Sequence, residues 1–230
     1  MRIIKSFKLK VVFVWVLVVL VLCGGVAIGA SRKVDGEVYS YKIVLDAGHG
    51  GRDDGCSGVN GAKESEINLK ITKKIANLLD DYGFKVYLTR KDENGLYDED
   101  ASNYKQSDMK KRINIIEKVK PDFVVSIHQN SYPDSKQKGA QAFYEKGDEL
   151  GKIFAESMQS QLYAQLPNAR KEANIGDYYI LNETKVSAII VECGYLSNQE
   201  EELMLLNDDY QTKVAYAVVC GVVKYFTQIK

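Results

Sequence analysis

Three apolar runs constrain this chain more than any other feature: KIVLDAGHG at 42–50, DFVVSIHQN at 122–130 and AIIVECGY at 188–195. Each reads as a buried strand of mainly Val, Ile and Leu that stops at a glycine, a histidine or a glutamate. The segments between them carry a different period. Ser65 to Tyr82 places Ile67, Ile71, Ile75, Leu78, Leu79 and Tyr82 at helical spacing, and Gly83 supplies a stop. Asp108 to Lys120 is helical with Ile113, Ile116 and Val119 on one side, and Pro121 ends it. FKVYLTR (84–90) and AQAFYE (140–145) add strands, Asp148 to Leu166 a helix, and Glu200–Leu206 and Asp209–Thr227 two closing helices. Alternation of this kind across 41–230 predicts a three-layer α/β/α sandwich around a mostly parallel or mixed sheet. Residues 92–107 follow neither period and read as an exposed loop.

Residues 1–33 stand apart from that pattern. Val11 to Ile28 is an uncharged run preceded by Arg2, Lys5, Lys8 and Lys10. As a helix it would reach roughly 27 Å, close to the ~30 Å of a bilayer's hydrocarbon. The basic flank keeps the N-terminus cytoplasmic and sends Ser31 onward outside. Ala27-Ile28-Gly29-Ala30 is a mediocre cleavage site, so a retained anchor is favoured over a cleaved signal peptide. Leu22 before Cys23 argues against lipoprotein processing. The expected organisation is a signal or membrane anchor at 1–33, a tether at 34–40 and a catalytic domain at 41–230.

The overall charge of zero averages these unlike parts. The first 33 residues hold six basic side chains and no acid, so the body carries 25 basic against 31 acidic groups, a net −6. A mildly acidic body is a poor partner for nucleic acid. Cys23, Cys56, Cys193 and Cys220 form no C-x-x-C pair, and no disulfide is predicted.

The chemistry gathers at strand ends. The chain has two histidines, and both follow apolar strands: His49 between Gly48 and Gly50, His128 after VVSI. Ligands in α/β sheets collect beyond the carboxyl ends of strands. Two hydrogen-bonded structural histidines are the plain alternative. Glu64 begins the helix after the Gly-rich loop, and Glu192 closes the strand AIIV, where a solvated charge is out of place. His49, Glu64 and His128 would offer two imidazoles and a carboxylate to a metal, with Glu192 beside an open position. A zinc-polarised water and a nearby carboxylate base make a hydrolase.

The same blocks carry a resemblance. IVLDAGHGGRDDG, GAKESEINL, FKVYLTR, DFVVSIHQNS and IIVECGYLSN, in this order from about Lys42 to Phe226, resemble the motifs of the zinc-dependent N-acetylmuramoyl-L-alanine amidases of the type 3 family. The resemblance implies one zinc on His49, Glu64 and His128, and Glu192 as the catalytic glutamate. It also implies an α/β/α sandwich and cleavage of the amide joining N-acetylmuramic acid to L-alanine in peptidoglycan. GAQAFY and YYIL look most like the germination-specific branch, which helps convert spore-cortex muramic acid to muramic-δ-lactam together with a deacetylase. That branch implies an exported enzyme on the cortex side of a spore former, held at the outer face of the cytoplasmic membrane or secreted.

Several residues keep two readings. Cys56 fills space in DDGCSG or competes as a thiolate for zinc. Cys193 adjoins Glu192, but strand alternation sends its side chain to the opposite face. Arg90 and Arg112 either orient substrate carboxylates or build ion pairs, and Asn130 is a candidate contact to substrate or to the metal ligands. A zinc-dependent peptidoglycan peptidase and a non-catalytic wall-binding scaffold are the alternative functions. A partner protein that positions the domain, or orders 92–107, completes the expected set.

Overall fold

The three apolar runs form the centre of one six-stranded sheet in a computed structural model that describes residues 41–229. The expected anchor at 1–33, with Cys23, and the tether at 34–40 lie outside the described residues. Among the described residues no helix is long and apolar enough to cross a membrane. The strands are β1 (Lys42–Ala47), β2 (Lys85–Leu88), β3 (Phe123–Asn130), β4 (Gln141–Tyr144), β5 (Asn174–Ile175) and β6 (Ala188–Tyr195). Their order is β2-β1-β3-β6-β4-β5. β2, β1, β3 and β6 run parallel, β4 is antiparallel to β6, and β5 is parallel to β4. The sheet is therefore mixed, and its central strands are buried on both faces, which is why they read as continuous apolar runs.

The helices are α1 (Glu64–Asp81), α2 (Tyr104–Val119), α3 (Glu149–Gln165), α4 (Tyr179–Glu183), α5 (Gln199–Leu206) and α6 (Asp208–Gln228). One face of the sheet, built from Ile43, Leu45, Val125, Ile127, Ile189 and Val191, joins side chains of α1, α3 and α6 in a continuous core. Phe123, Phe154, Tyr225 and Phe226 knot its lower end, with Phe123 and Phe154 ring centres 4.2 Å apart. The other face is smaller. Val44, Val124, Ala188 and Ile190 meet Ile116 of α2 and Ile180 and Leu181 of α4. The predicted three layers are present.

Three details depart from the pattern read in the sequence. α2 starts at Tyr104 rather than Asp108, because the Asn103 side chain accepts the Gln106 N–H at 3.1 Å and caps the helix inside the stretch read as loop. β5 and α4 are too short to show a period. In α5 two of the three acids turn inward. Glu202 accepts N–H groups of Asn60 and Ala62, Glu201 those of Gly139 and Tyr195, and neither side chain is exposed.

Candidate active site

The site is made where the second face of the sheet turns polar. Val44, Val124 and Ile190 give way, toward the strand C-termini, to Asp46, Ser126, His128 and Glu192. His128 and Glu192 are register partners on parallel strands, so their side chains stand beside each other on one face. Beyond β1 the backbone closes in. A Cβ on Gly48 would lie 2.2 Å from His128 Cε1, so only glycine admits the imidazole there. His49 itself takes a left-handed φ of 61°. That conformation is uncommon for a residue with a side chain and needs support.

Glu64 reaches the same point from the first turn of α1. Its Oε1 lies 2.9 Å from His128 Nδ1 and accepts the Gln129 N–H at 3.1 Å and Asn68 Nδ2 at 3.3 Å. Its Oε2 accepts the Cys56 N–H at 2.8 Å and lies 3.3 Å from His49 Nε2. One donor atom each from His49, Glu64 and His128 falls within 4.8 Å of the others. Burial would raise the Glu64 carboxyl, but the two histidines more than offset it and hold the group well below the usual carboxylate range. Glu64 therefore stays ionised, as a carboxylate ligand must. Burial would lower His49, but Asp53 and Glu64 raise it to about 9, so a metal arriving there displaces a proton from the imidazole.

Glu192 is built the opposite way. It is 6% exposed, and its Oε2 has no hydrogen-bond partner. Burial pushes its carboxyl up to about 7, against the lowering influence of His128 and with Glu64 raising it further. A carboxyl poised near neutrality, with one oxygen unpartnered and the Tyr178 hydroxyl beside it, is equipped to take and return a proton.

A sequence profile described as N-acetylmuramoyl-L-alanine amidase matches residues 43–224. The chain belongs to this amidase family. It is 34% identical over 191 residues to the germination-specific N-acetylmuramoyl-L-alanine amidase of Bacillus subtilis, covering 81% of this chain and 80% of that one. Among solved structures it is similar to the CwlD amidase of Clostridioides difficile, determined in complex with the GerS lipoprotein. There the TM-score is 0.79 and the identity 34%, over 82% of this chain and 100% of that one. The catalytic domain of the CwlV amidase of Bacillus (Paenibacillus) polymyxa gives a TM-score of 0.72 and 30% identity, over 81% of this chain and 98% of that one.

Around the donors this amidase places residues that sequence reasoning passed over. Asp53 Oδ2 sits 2.8 Å from His49 Nδ1, which turns His49 Nε2 toward Glu64 and His128. Carboxylates behind ligand histidines set ring orientation in this way. The signal was the acid pair in GHGGRDDG, read only for its glycines. Asn68 and Gln129 brace Glu64 from behind, linked at 3.0 Å.

The other singled-out residues fall at various depths. Arg112 is 1% exposed and spends its donors on Asp108, Asp46 Oδ1 at 2.7 Å, the Ala47 carbonyl at 2.7 Å and the His49 carbonyl at 2.6 Å. Arg90 donates to the carbonyls of Ala47, Gly48, Ser65 and Asp92. Both arginines lie beneath the site and grip the backbone that carries His49. Asn130 Oδ1 accepts the Ser131 N–H at 2.8 Å, and the Asn130 carbonyl accepts the Leu196 N–H at 2.8 Å. The Cys56 thiol is pushed up by burial and by the adjoining Glu64, so it stays protonated. Cys193 lies in the core of the first face, away from Glu192.

Proposed function

We propose that this amidase hydrolyses the muramoyl-L-alanine bond of peptidoglycan with one zinc ion held by His49, Glu64 and His128 and with Glu192 as proton carrier. The donor set fits that metal: two imidazole nitrogens and one carboxylate oxygen converge, and the glycine at position 48 keeps the space open. When bound, zinc supplies a Lewis acid that polarises the scissile carbonyl and makes a water acidic at neutral pH. The single observation that carries the reading is the contrast between two neighbouring acids, one braced by backbone N–H groups and set between two imidazoles, the other with an unpartnered buried oxygen. Glu192 takes a proton from the attacking water at its carboxylate and returns it to the alanine nitrogen as the amide breaks. Asp53 holds the His49 ring throughout, and the left-handed His49 backbone is secured by Arg112.

The substrate setting we infer is the spore cortex, on the strength of the germination-specific relative. The Val11–Ile28 segment would hold the domain at the outer face of the membrane. A lipoprotein partner is proposed by analogy with the CwlD–GerS complex. The deciding experiment is mass spectrometry of digested peptidoglycan beside metal analysis of wild type and His128→Ala. The expected products are stem peptides with a free L-alanine amine and unsubstituted glycan, and the variant should lose its zinc. Cut cross-links with intact muramoyl-alanine bonds would instead establish a peptidase.

A further inference from the structure

A cleft leads away from His49 and His128 between the start of α2 and α4. Tyr104, Lys105 and Met109 form one wall, and Tyr178, Tyr179 and Ile180 the other. The outer walls are mainly aromatic or aliphatic, which suits the methyl and backbone of a peptide, while Asp46, Asp53 and Asp108 lie on its floor. Two cations line it. Arg112 is buried, and its donors are committed to Asp46, Asp108 and two backbone carbonyls. Lys105 is different: its side chain is 61% exposed, and its Nζ meets one partner, Asp53 Oδ1, at 3.2 Å. An ammonium has three donors, so two remain to offer. Asp53 in turn touches His49 through its other oxygen. Lys105 is thus one carboxylate away from the donor triangle, which Asp53 meets at His49.

We propose that Lys105 determines specificity by binding the free α-carboxylate of the second stem residue of peptidoglycan. The assignment rests on the amidase reading above. In that substrate L-alanine is followed by D-glutamate joined through its side-chain carboxyl, which leaves the α-carboxylate free. That group lies about two residues beyond the scissile nitrogen, roughly 7 Å in an extended chain. Contacts of 3.2 Å from Lys105 to Asp53 and 2.8 Å from Asp53 to His49 keep Lys105 within comparable reach of the donors. A body of net −6 gains nothing from bulk attraction of an anionic stem, so a local cation is needed. An ammonium and a carboxylate form a charge-assisted hydrogen bond, and an α-carboxamide at the same place cannot match it.

The test uses matched soluble peptidoglycan fragments whose second stem residue carries either the α-carboxylate or the α-carboxamide. The full chain, Lys105→Met and Lys105→Arg are compared by kcat/KM on each. Wild type should prefer the carboxylate by about tenfold, the size of a partly exposed charge-assisted contact. Lys105→Met should bring the ratio toward one, and Lys105→Arg should restore most of it. A role confined to holding Asp53 would slow both fragments alike and leave the ratio where it was. A wild type that treats the fragments equally, or a Lys105→Met that keeps the preference, overturns the assignment. If wild type cleaves neither fragment at the muramoyl-alanine bond, the amidase reading fails and this assignment falls with it.

Discussion

The two faces of the sheet are made from the same strands and do different work. On the first face Ile43, Leu45, Val125, Ile127, Ile189, Val191 and Cys193 form an apolar row, with Gln129 the one polar side chain at its top, and α1, α3 and α6 close over them. On the second face the apolar set ends at Val44, Val124 and Ile190, and the next positions on each strand are Asp46, Ser126 and Glu192. One residue along a strand changes the face, so both designs share a single backbone. The difference shows where stability is generated and where it is spent. Burial of apolar area on the first face offsets an ion pair, a left-handed histidine and a carboxyl with one unpartnered oxygen on the second.

The sharpest break is expected at Glu192. Replacing it with Gln keeps the shape but removes the proton carrier, so turnover should fall about 10²–10⁴-fold while zinc content stays at wild-type level. The metal-free variant should also melt at a higher temperature, since a buried carboxyl with an unpartnered oxygen costs more stability than a neutral amide. Steady-state kinetics, elemental analysis and a melting curve separate the three effects. A variant that keeps near-normal rates removes Glu192 from the chemistry.

Arg112 is the second point of contrast. Arg112→Met strands Asp46 and Asp108 without their cation and frees the His49 carbonyl. Loss of one partner from such a buried set typically costs about 3–5 kcal/mol. Denaturant titration should show that loss, and chelator competition should show weaker zinc binding, because the His49 backbone is no longer pinned. Unchanged zinc affinity in the folded variant would confine Arg112 to a structural part. On the first face, Leu162→Ala should cost about 3 kcal/mol by opening a cavity. Its zinc affinity and turnover per folded molecule should match wild type, since Leu162 lies in the opposite core. A drop in zinc affinity there would show that the faces are not independent.

The first face is legible as apolar runs, and His49, Glu64, His128 and Glu192, which the structure gathers at one edge of the sheet, stand out where those runs or a helical period begin or end. Glu192 and His128 interrupt apolar runs, and Glu64 opens a helical one. The supporting cast was hidden because its signal is tertiary. Asp53 and Lys105 sit in stretches that look like solvated loop, and only the fold brings Asp53 to His49 and Lys105 to Asp53. Glu201 and Glu202 look like the exposed side of a helix, yet their lone pairs hold loops from 60, 139 and 195. Arg112 falls among Lys110 and Lys111 and cannot be told from them by spacing, although it alone is fully buried.

The smallest expected effect concerns acid. Burial by itself would raise the Asp46 carboxyl, but Arg112, with the hydroxyls of Ser126 and Thr89, outweighs that and holds it at about 2, below its ordinary 3.8. A depressed folded value means the stabilisation is complete above the unfolded pKa and disappears as pH falls through the folded one. By linkage the shift is worth about 2 kcal/mol, nearly all of it lost between pH 5 and pH 2. Asp53, held at about 2 by His49 and Lys105 against its own burial, loses stability in the same window. Wild type alone therefore cannot isolate Asp46. Denaturant midpoints of wild type, Asp46→Asn and Leu162→Ala at pH 7, 5, 3 and 2 can. The Leu162→Ala deficit should stay constant, because no proton is involved in an apolar cavity. The Asp46→Asn deficit should be largest at pH 7 and shrink by about 2 kcal/mol toward pH 2, where the wild-type carboxyl is itself half protonated. A deficit for Asp46→Asn that does not change with pH would mean that its contacts act by shape alone, and the second face would then be no more acid-sensitive at this site than the first.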